Sequence, residues 1–220
     1  MNNVQIPSYQ EGLQTLRNQL SEMMPAEVLE VFDTDAAALQ QNHVSPLQVQ
    51  VGDQAPDFIL SNATNASVRL ADLLKTQRVV LTFYRGTWCP YCNLALAQYQ
   101  SILDDIHAAG ATLVAISPQT PDESLNIQEK NALQFEVLSD AGNLVARKFT
   151  TVFKNAEQPT ETMKALGIDF DRFYSDDSKE LPVPATFIIE QDGTISFAQS
   201  EGGDYRNRVE AATILNALNA

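Results

Sequence analysis

The chain of 220 residues contains two cysteines, Cys89 and Cys92, within Arg85-Gly86-Thr87-Trp88-Cys89-Pro90-Tyr91-Cys92. Thiols spaced as Cys-x-x-Cys suit two kinds of chemistry. One is redox: a thiolate attacks an electrophile, and the second sulfur displaces the product to close a disulfide. The other is metal binding, but zinc takes four ligands. The only histidines, His43 and His107, have no ligand spacing to the pair, so no metal and no cofactor is expected. A pair of inert core cysteines is the remaining alternative, and the position of the pair between elements argues against it.

Those elements can be read on either side. Val79-Val80-Leu81-Thr82-Phe83-Tyr84 is β-branched and aromatic, bounded by charge and by Gly86, as a buried central strand would be. After the cysteines, Leu94, Leu96, Ala97, Tyr99, Ile102, Leu103 and Ile106 recur at helical spacing up to Gly110. Pro90 suits a first helical turn, where its missing N–H has no partner. The cysteines therefore stand at a strand-to-helix junction, where free amides and the helix dipole face Cys89. Such placement lowers a thiol pKa into a range of roughly 3.5–7.5. Cys92, a turn deeper, is expected to be buried, and Tyr91 partly exposed. Trp88 is a packing residue or a wall beside the sulfur.

Around this centre the chain reads as alternating elements. Residues 8–42 are helical, opened by the capping box Ser8-Tyr9-Gln10-Glu11 and interrupted at Pro25. This stretch either packs on the rest of the chain or forms a dimer interface, and the sequence does not separate the two. Residues 1–48 are an N-terminal helical extension; 49–220 form one domain with an insertion at about 150–182. Within the domain, a hairpin around Asn62-Ala63-Thr64-Asn65 and a short helix at Leu70 to Leu74 precede the central strand. Ala111 to Ser117 is a second buried strand, parallel to the first because one long helix joins them. A helix capped by the Thr120 hydroxyl, a strand from Phe135 to Leu138 and a helix capped by Asp140 follow. The insertion holds a helix at Pro159 to Leu166 and an acidic loop with Phe170, Phe173 and Tyr174. Pro184 leads into the strand Ala185 to Ile189, which Asp192-Gly193 turns into a hairpin. Asp204 is expected to cap the last helix. The fold class is α/β, a mixed central sheet with helices on both faces.

Net charge is −14, which argues against nucleic acid or an anionic membrane surface as partner. No apolar run approaches a membrane span, and Met1 to Gln10 lack the basic start and apolar core of a signal peptide. Together with two cysteines too close to staple a fold of this size, these features predict a cytoplasmic protein.

The element order, with a Cys-x-x-Cys after the first buried strand and a proline before the late hairpin, resembles the thioredoxin fold. The closer resemblance is to peroxiredoxins of the alkyl hydroperoxide reductase and thiol-specific antioxidant branch. It is carried by Val51-Gly52-Asp53-Gln54-Ala55-Pro56-Asp57-Phe58, Val79 to Tyr84, Ile116-Ser117-Pro118, Leu138-Ser139-Asp140 and Ala185-Thr186-Phe187-Ile188-Ile189 with Asp192-Gly193. It covers roughly residues 50–220. Two departures stand out. Peroxiredoxins carry a Thr or Ser three residues before the reactive cysteine, whereas Thr87 is two before Cys89; if Cys92 is that cysteine, Cys89 takes the Thr place. Pro184 stands where those proteins carry an arginine, as in thioredoxin, where a cis proline faces the cysteines. Arg85 is the candidate replacement cation. Pro90-Tyr91 between the cysteines matches glutaredoxins.

The resemblance implies a thiol peroxidase. Cys89 thiolate would attack the O–O bond of hydrogen peroxide or an organic hydroperoxide and become a sulfenic acid. Cys92 would resolve it to a disulfide, and a thioredoxin or glutaredoxin-type dithiol would reset the pair. Thr87 and first-turn amides would hold the peroxide oxygens, with Phe170, Phe173 and Tyr174 a further wall against organic groups. The alternative is a thioredoxin-like disulfide oxidoreductase using the same cysteines, with Pro184 pairing to a peptide substrate. A homodimer is a candidate assembly.

Overall fold

An unbroken apolar run is buried on both faces of a sheet. In the computed structural model, which describes residues 6–220, that run is the sheet's interior. The reading of the extreme amino terminus rests partly on residues 1–5, which lie outside the described residues. Strand β3 (Arg78–Phe83) lies between β4 (Ala111–Ser117), its parallel neighbour, and β8 (Ala185–Ile189), its antiparallel one. Beyond β4 come β5 (Glu136–Ser139), parallel, then β1 (Ile59–Asn62) and β2 (Ser67–Arg69), which form the early hairpin. Beyond β8 lies β9 (Ile195–Gln199) across the Asp192-Gly193 turn, where Gly193 sits at φ 87°, a value glycine adopts without strain. The order β2-β1-β5-β4-β3-β8-β9 is the expected mixed sheet.

Helices cover both faces. On one face lie α4 (Pro90–Ser101), α5 (Leu103–Ala108), α6 (Pro121–Lys130) and α9 (Ala211–Leu218); their apolar residues share a core with Val80, Leu113 and Ile188. The opposite face packs Val79, Leu81 and Phe83 against α3 (Leu70–Leu73) and α7 (Ala146–Phe149). Phe83, Phe149 and Phe187 meet there at ring distances of 5.4–6.2 Å.

The extension is two helices, α1 (Tyr9–Met23) and α2 (Ala26–Asn42), split at Pro25 as its ring requires. Of the two alternatives, packing on the rest of the chain is what the structure shows. Tyr9, Leu20, Ala36 and Leu39 belong to the same core as α4. Gly12 lets α1 approach Leu94 and Gln98; a Cβ there would stand 2.9 Å from the Gln98 amide nitrogen. The Ser8 hydroxyl accepts from the Glu11 amide as expected, and Glu210 from the other end of the chain accepts from the Tyr9 and Gln10 amides.

Several local expectations are corrected. The helix after the cysteines is interrupted at Ile102 (φ −108°, ψ 11°), so α4 and α5 are separate. Thr120 sits at the start of α6 but its hydroxyl makes no cap. Asp140 accepts from Val145 and Ala146, past a single 3-10 turn at Ala141–Asn143, so it caps α7 instead of one continuous helix. Asp204 does not cap α9, which begins at Ala211; its carboxylate binds Arg206 instead. The insertion contains α8 (Glu157–Ala165), ended by Gly167 at φ 81°. It also contains a ribbon that the sequence reading lacked, β6 (Val152–Lys154) with β7 (Glu180–Pro182).

Candidate active site

Strand β3 delivers the chain to Tyr84, whose amide still pairs with Ile116. The next residues turn sharply. At Gly86 a Cβ would lie 2.6 Å from the Trp88 indole nitrogen, so only glycine lets Trp88 fold back here. Gln119, at the end of β4, grips the turn twice: its carbonyl accepts from the Thr87 amide (2.8 Å) and its amide donates to the Thr87 hydroxyl (3.0 Å). Asn93 adds bonds to the Thr87 and Cys89 carbonyls. Cys89 is then the N-cap residue of α4, Pro90 occupies the first turn, and Cys92 is the third residue of the helix.

Both cysteines are free thiols and both are buried, Cys89 at 1 % and Cys92 at 0 % exposure. The expected open helix start is covered, because α1, α2 and α8 fold over it. Their electrostatics also differ from expectation. Burial pushes the Cys89 thiol up, and its hydrogen bond to Cys92 and the charge there push it further, well above the ordinary thiol value. Burial also pushes Cys92 up. For Cys92, however, the hydrogen bond from Cys89, the Arg208 guanidinium, and the Arg85 amide and guanidinium outweigh burial and hold it well below that value. Arg208 Nη2 donates to Cys92 Sγ at 3.0 Å. This contact favours Cys92 over Cys89 as the sulfur that carries negative charge.

A cavity of about 210 Å³ ends on Cys89. Cys89, Pro90, Tyr91, Arg85 and Trp88 form its floor, and Tyr205 also lines it. Its other walls are Leu20 and Met24 at the end of α1, Leu29 and Phe32 of α2, and Met163, Leu166 and Ile168 in and after α8. Leu166 is 40 % exposed at its edge. Cys92 does not line this space. Arg85 is buried between aromatic faces, with its guanidinium carbon 3.7 Å from the Tyr205 ring centre and 4.9 Å from that of Trp88. That stacking suits a planar cation.

Of the residues expected at the site, Cys89, Cys92, Arg85 and Trp88 are brought together. Thr87 is adjacent but held by Gln119 and does not line the cavity. Pro184 is buried, outside the cavity, and its peptide bond is trans. Its carbonyl accepts from the Ser200 hydroxyl at 2.7 Å, so the cis proline open to a peptide is absent. Tyr91 is buried at 5 % under α1 instead of partly exposed, with Arg17 donating to its hydroxyl. Of Phe170, Phe173 and Tyr174, Phe170 stacks 5.4 Å from Trp88, and the Tyr174 hydroxyl accepts from the Trp88 indole (2.8 Å) and donates to the Arg85 carbonyl (3.1 Å). Phe173 instead pairs with Arg172. These aromatics buttress Trp88 from behind; none of the three lines the cavity. Arg208, Gln119 and Tyr205 escaped the sequence reading. Arg208 lies 116 residues from Cys92, and no local pattern links them.

Residues 51–198 match the AhpC/TSA family. A putative peroxiredoxin from Mycobacterium tuberculosis is 28% identical over 148 residues, 67% of this chain and 83% of the relative. Peroxiredoxin Bcp from Escherichia coli is 31% identical over 101 residues, 46% of this chain and 64% of that one. Among solved structures, peroxidoxin BcpB from M. tuberculosis superposes with a TM-score of 0.61 at 24% identity, over 78% of this chain and 97% of that chain. A mutant PrxQ from Xylella fastidiosa does so with a TM-score of 0.61 at 17% identity, over 78% and 96%. The thioredoxin-like fold is common to these structures.

Proposed function

The chain belongs to the AhpC/TSA family, and from that premise we propose that it is a thiol peroxidase drawing its electrons from Cys89 and Cys92. The observation that supports this assignment of residues is geometric: two free, buried thiols at the start of α4, beneath an apolar cavity that Cys89 lines and Cys92 does not. A hydroperoxide entering the cavity meets the Cys89 sulfur. As that sulfur attacks the O–O bond, its proton passes to Cys92 and on to the departing alkoxide or hydroxide, leaving an alcohol or water and a Cys89 sulfenic acid. Cys92, again a thiolate, attacks the sulfenic sulfur. Hydroxide leaves, takes a proton from solvent, and the disulfide closes. The helix start and the Arg85 guanidinium supply positive potential where oxygen charge develops. A thioredoxin or glutaredoxin-type dithiol in the cytoplasm returns the two electrons. The extension at residues 1–48 serves as an appended arm whose helices α1 and α2 cover the centre of the 49–220 domain.

The reverse assignment, with Cys92 attacking and Cys89 resolving, is favoured by one observation, the 3.0 Å bond from Arg208 to Cys92. The experiment that tests both is stopped-flow oxidation of the reduced protein by hydrogen peroxide and by an organic hydroperoxide, followed through the single tryptophan, Trp88, beside Cys89. The proposed order predicts a fast phase lost in Cys89→Ser and kept in Cys92→Ser, which stops at a sulfenic acid. A fast phase kept in Cys89→Ser and lost in Cys92→Ser reverses the roles. A wild-type rate no greater than that of a simple thiol, with efficient insulin reduction, would transfer the centre to disulfide exchange.

A further inference from the structure

We propose that Arg208 is the positioning residue that holds the negative charge of the reduced pair on Cys92. The claim concerns the resting protein; only its kinetic consequence rests on the peroxidase reading. Arg208 is buried at 6 % exposure in the stretch between β9 and α9, beyond the segment matched to the family. One guanidinium nitrogen donates to Cys92 Sγ at 3.0 Å, and the other donates to the Tyr205 and Asn207 carbonyls. Among the described residues, no carboxylate lies within ion-pair distance of it. A guanidinium does not shed its proton in a protein. A buried cation without an ion pair is costly. Asp204 feels its charge but is bound by Arg206, so among the described residues the anionic group Arg208 touches is the Cys92 sulfur. Fold and charge thus support one another: the cation needs the thiolate, and the thiolate needs the cation.

Of the other groups facing Cys92, none combines a full charge with a side-chain bond to the sulfur. Cys89 lies beside Cys92 and lowers it. Arg85 lowers Cys92 as well, through its amide and its charge, but its guanidinium is stacked on the Tyr205 and Trp88 rings and makes no bond to the sulfur. Tyr9 of α1, Tyr84 after β3, Tyr99 of α4 and Tyr174 of the insertion are phenols that burial keeps neutral, Tyr99 pushed up to about 12. Glu210 is engaged by the amides of α1. The stretch carrying Arg208 is also fixed from both sides. The Asp204 amide donates to Gln40 (2.9 Å), the Tyr205 hydroxyl to the Phe32 carbonyl (2.8 Å), and the Tyr99 hydroxyl to the Val209 carbonyl (2.7 Å). The guanidinium is thereby aimed by the arm on one side and by α4 on the other.

The test is the ultraviolet absorbance of thiolate, titrated with pH in the full reduced protein and its Cys89→Ser, Cys92→Ser, Arg208→Gln and Arg208→Lys variants. Wild type and Cys89→Ser should each show one thiolate at neutral pH, and Cys92→Ser none. Arg208→Gln should move the midpoint up by about 1–3 pH units, the range a close opposite charge commands, and Arg208→Lys should recover part of that shift. An unmoved midpoint in folded Arg208→Gln overturns the proposal. Should that variant not fold, absence of thiolate at neutral pH in wild type, or its persistence in Cys92→Ser, overturns it equally. None of these readouts involves peroxide. A wild type with the thiolate but a slow peroxide reaction would therefore count against the peroxidase reading alone.

Discussion

Replacing Gly203 by Ala tests whether the arm is seated against the site by direct backbone contact. A Cβ at this position would stand 2.1 Å from the Leu39 carbonyl oxygen, 2.5 Å from its carbon and 3.1 Å from the Gln40 nitrogen. The closest C–H···O contacts need about 3.3 Å, so the end of α2 must withdraw by about 1 Å. Withdrawal loosens the buried Leu39 and stretches the bond from the Asp204 amide to Gln40. Overpacking of this kind costs about 1–3 kcal/mol, and the hydrogen bond adds about 1 kcal/mol. With a urea slope of about 2–3 kcal/mol/M for a chain of this size, the unfolding midpoint should fall by roughly 1 M. The transition should remain single by Trp88 fluorescence and by far-ultraviolet circular dichroism, because Ala36 and Leu39 belong to the same core as Cys89 and Cys92. Alkylation of Cys89 in native conditions should accelerate as its cover lifts. A midpoint unchanged within about 0.2 M, with unchanged alkylation, would refute the argument that this contact holds the arm over the cysteines.

Other perturbations separate the remaining contributions. Leu29→Trp, filling part of the cavity, should lower kcat/KM for a bulky aryl hydroperoxide about tenfold or more relative to hydrogen peroxide; equal effects on both would mean that substrates do not use this space. Because Cys92 is held below the ordinary thiol range, the peroxide rate should be level from neutral pH upward and fall only as acid protonates Cys92. A rate climbing steadily from neutral to alkaline pH, as for a free thiol, would contradict a negative charge on Cys92. Asp33 bridges Arg17 and Arg206. The Arg17 hydrogen bonds, then those of Arg206, hold its carboxyl below the usual range against partial burial. A depressed carboxylate stabilises the fold above its unfolded pKa, and the benefit is lost as pH falls through the folded value. Asp33→Asn should therefore cost about 1 kcal/mol at neutral pH in urea unfolding, discounted for exposure, and the gap should close in acid. A gap that persists in acid would assign the loss to packing.

The local architecture of this protein is determined by sequence. The run Val79 to Phe83 is too apolar for anything but a buried strand, and Pro90 after Cys89 opens a helix. Asp192-Gly193 turns the late hairpin. These are short-range steric and solvation preferences, so the strand–Cys-x-x-Cys–helix centre and the mixed sheet were legible. Even there, neighbours intervened: the apolar spacing through Ile106 predicted one helix, yet packing interrupts it at Ile102. Tertiary structure alone decided the state of the sulfurs. The dipole argument at the start of α4 pointed to Cys89, but burial by Leu20, Phe32 and Met163 reverses the sign there, since a low-dielectric surround penalises a thiolate that lacks a cation. The cation stands beside Cys92, delivered by Arg208 from 116 residues away. Phe170 and Tyr174 reach Trp88, while Phe173, of the same type and in the same loop, does not. Helical and strand periods repeat over a few residues and can be read along the chain. Charge pairing and burial depend on which distant segments the fold brings within a few ångströms, and that is settled only when the arm and the carboxyl-terminal stretch close over the site.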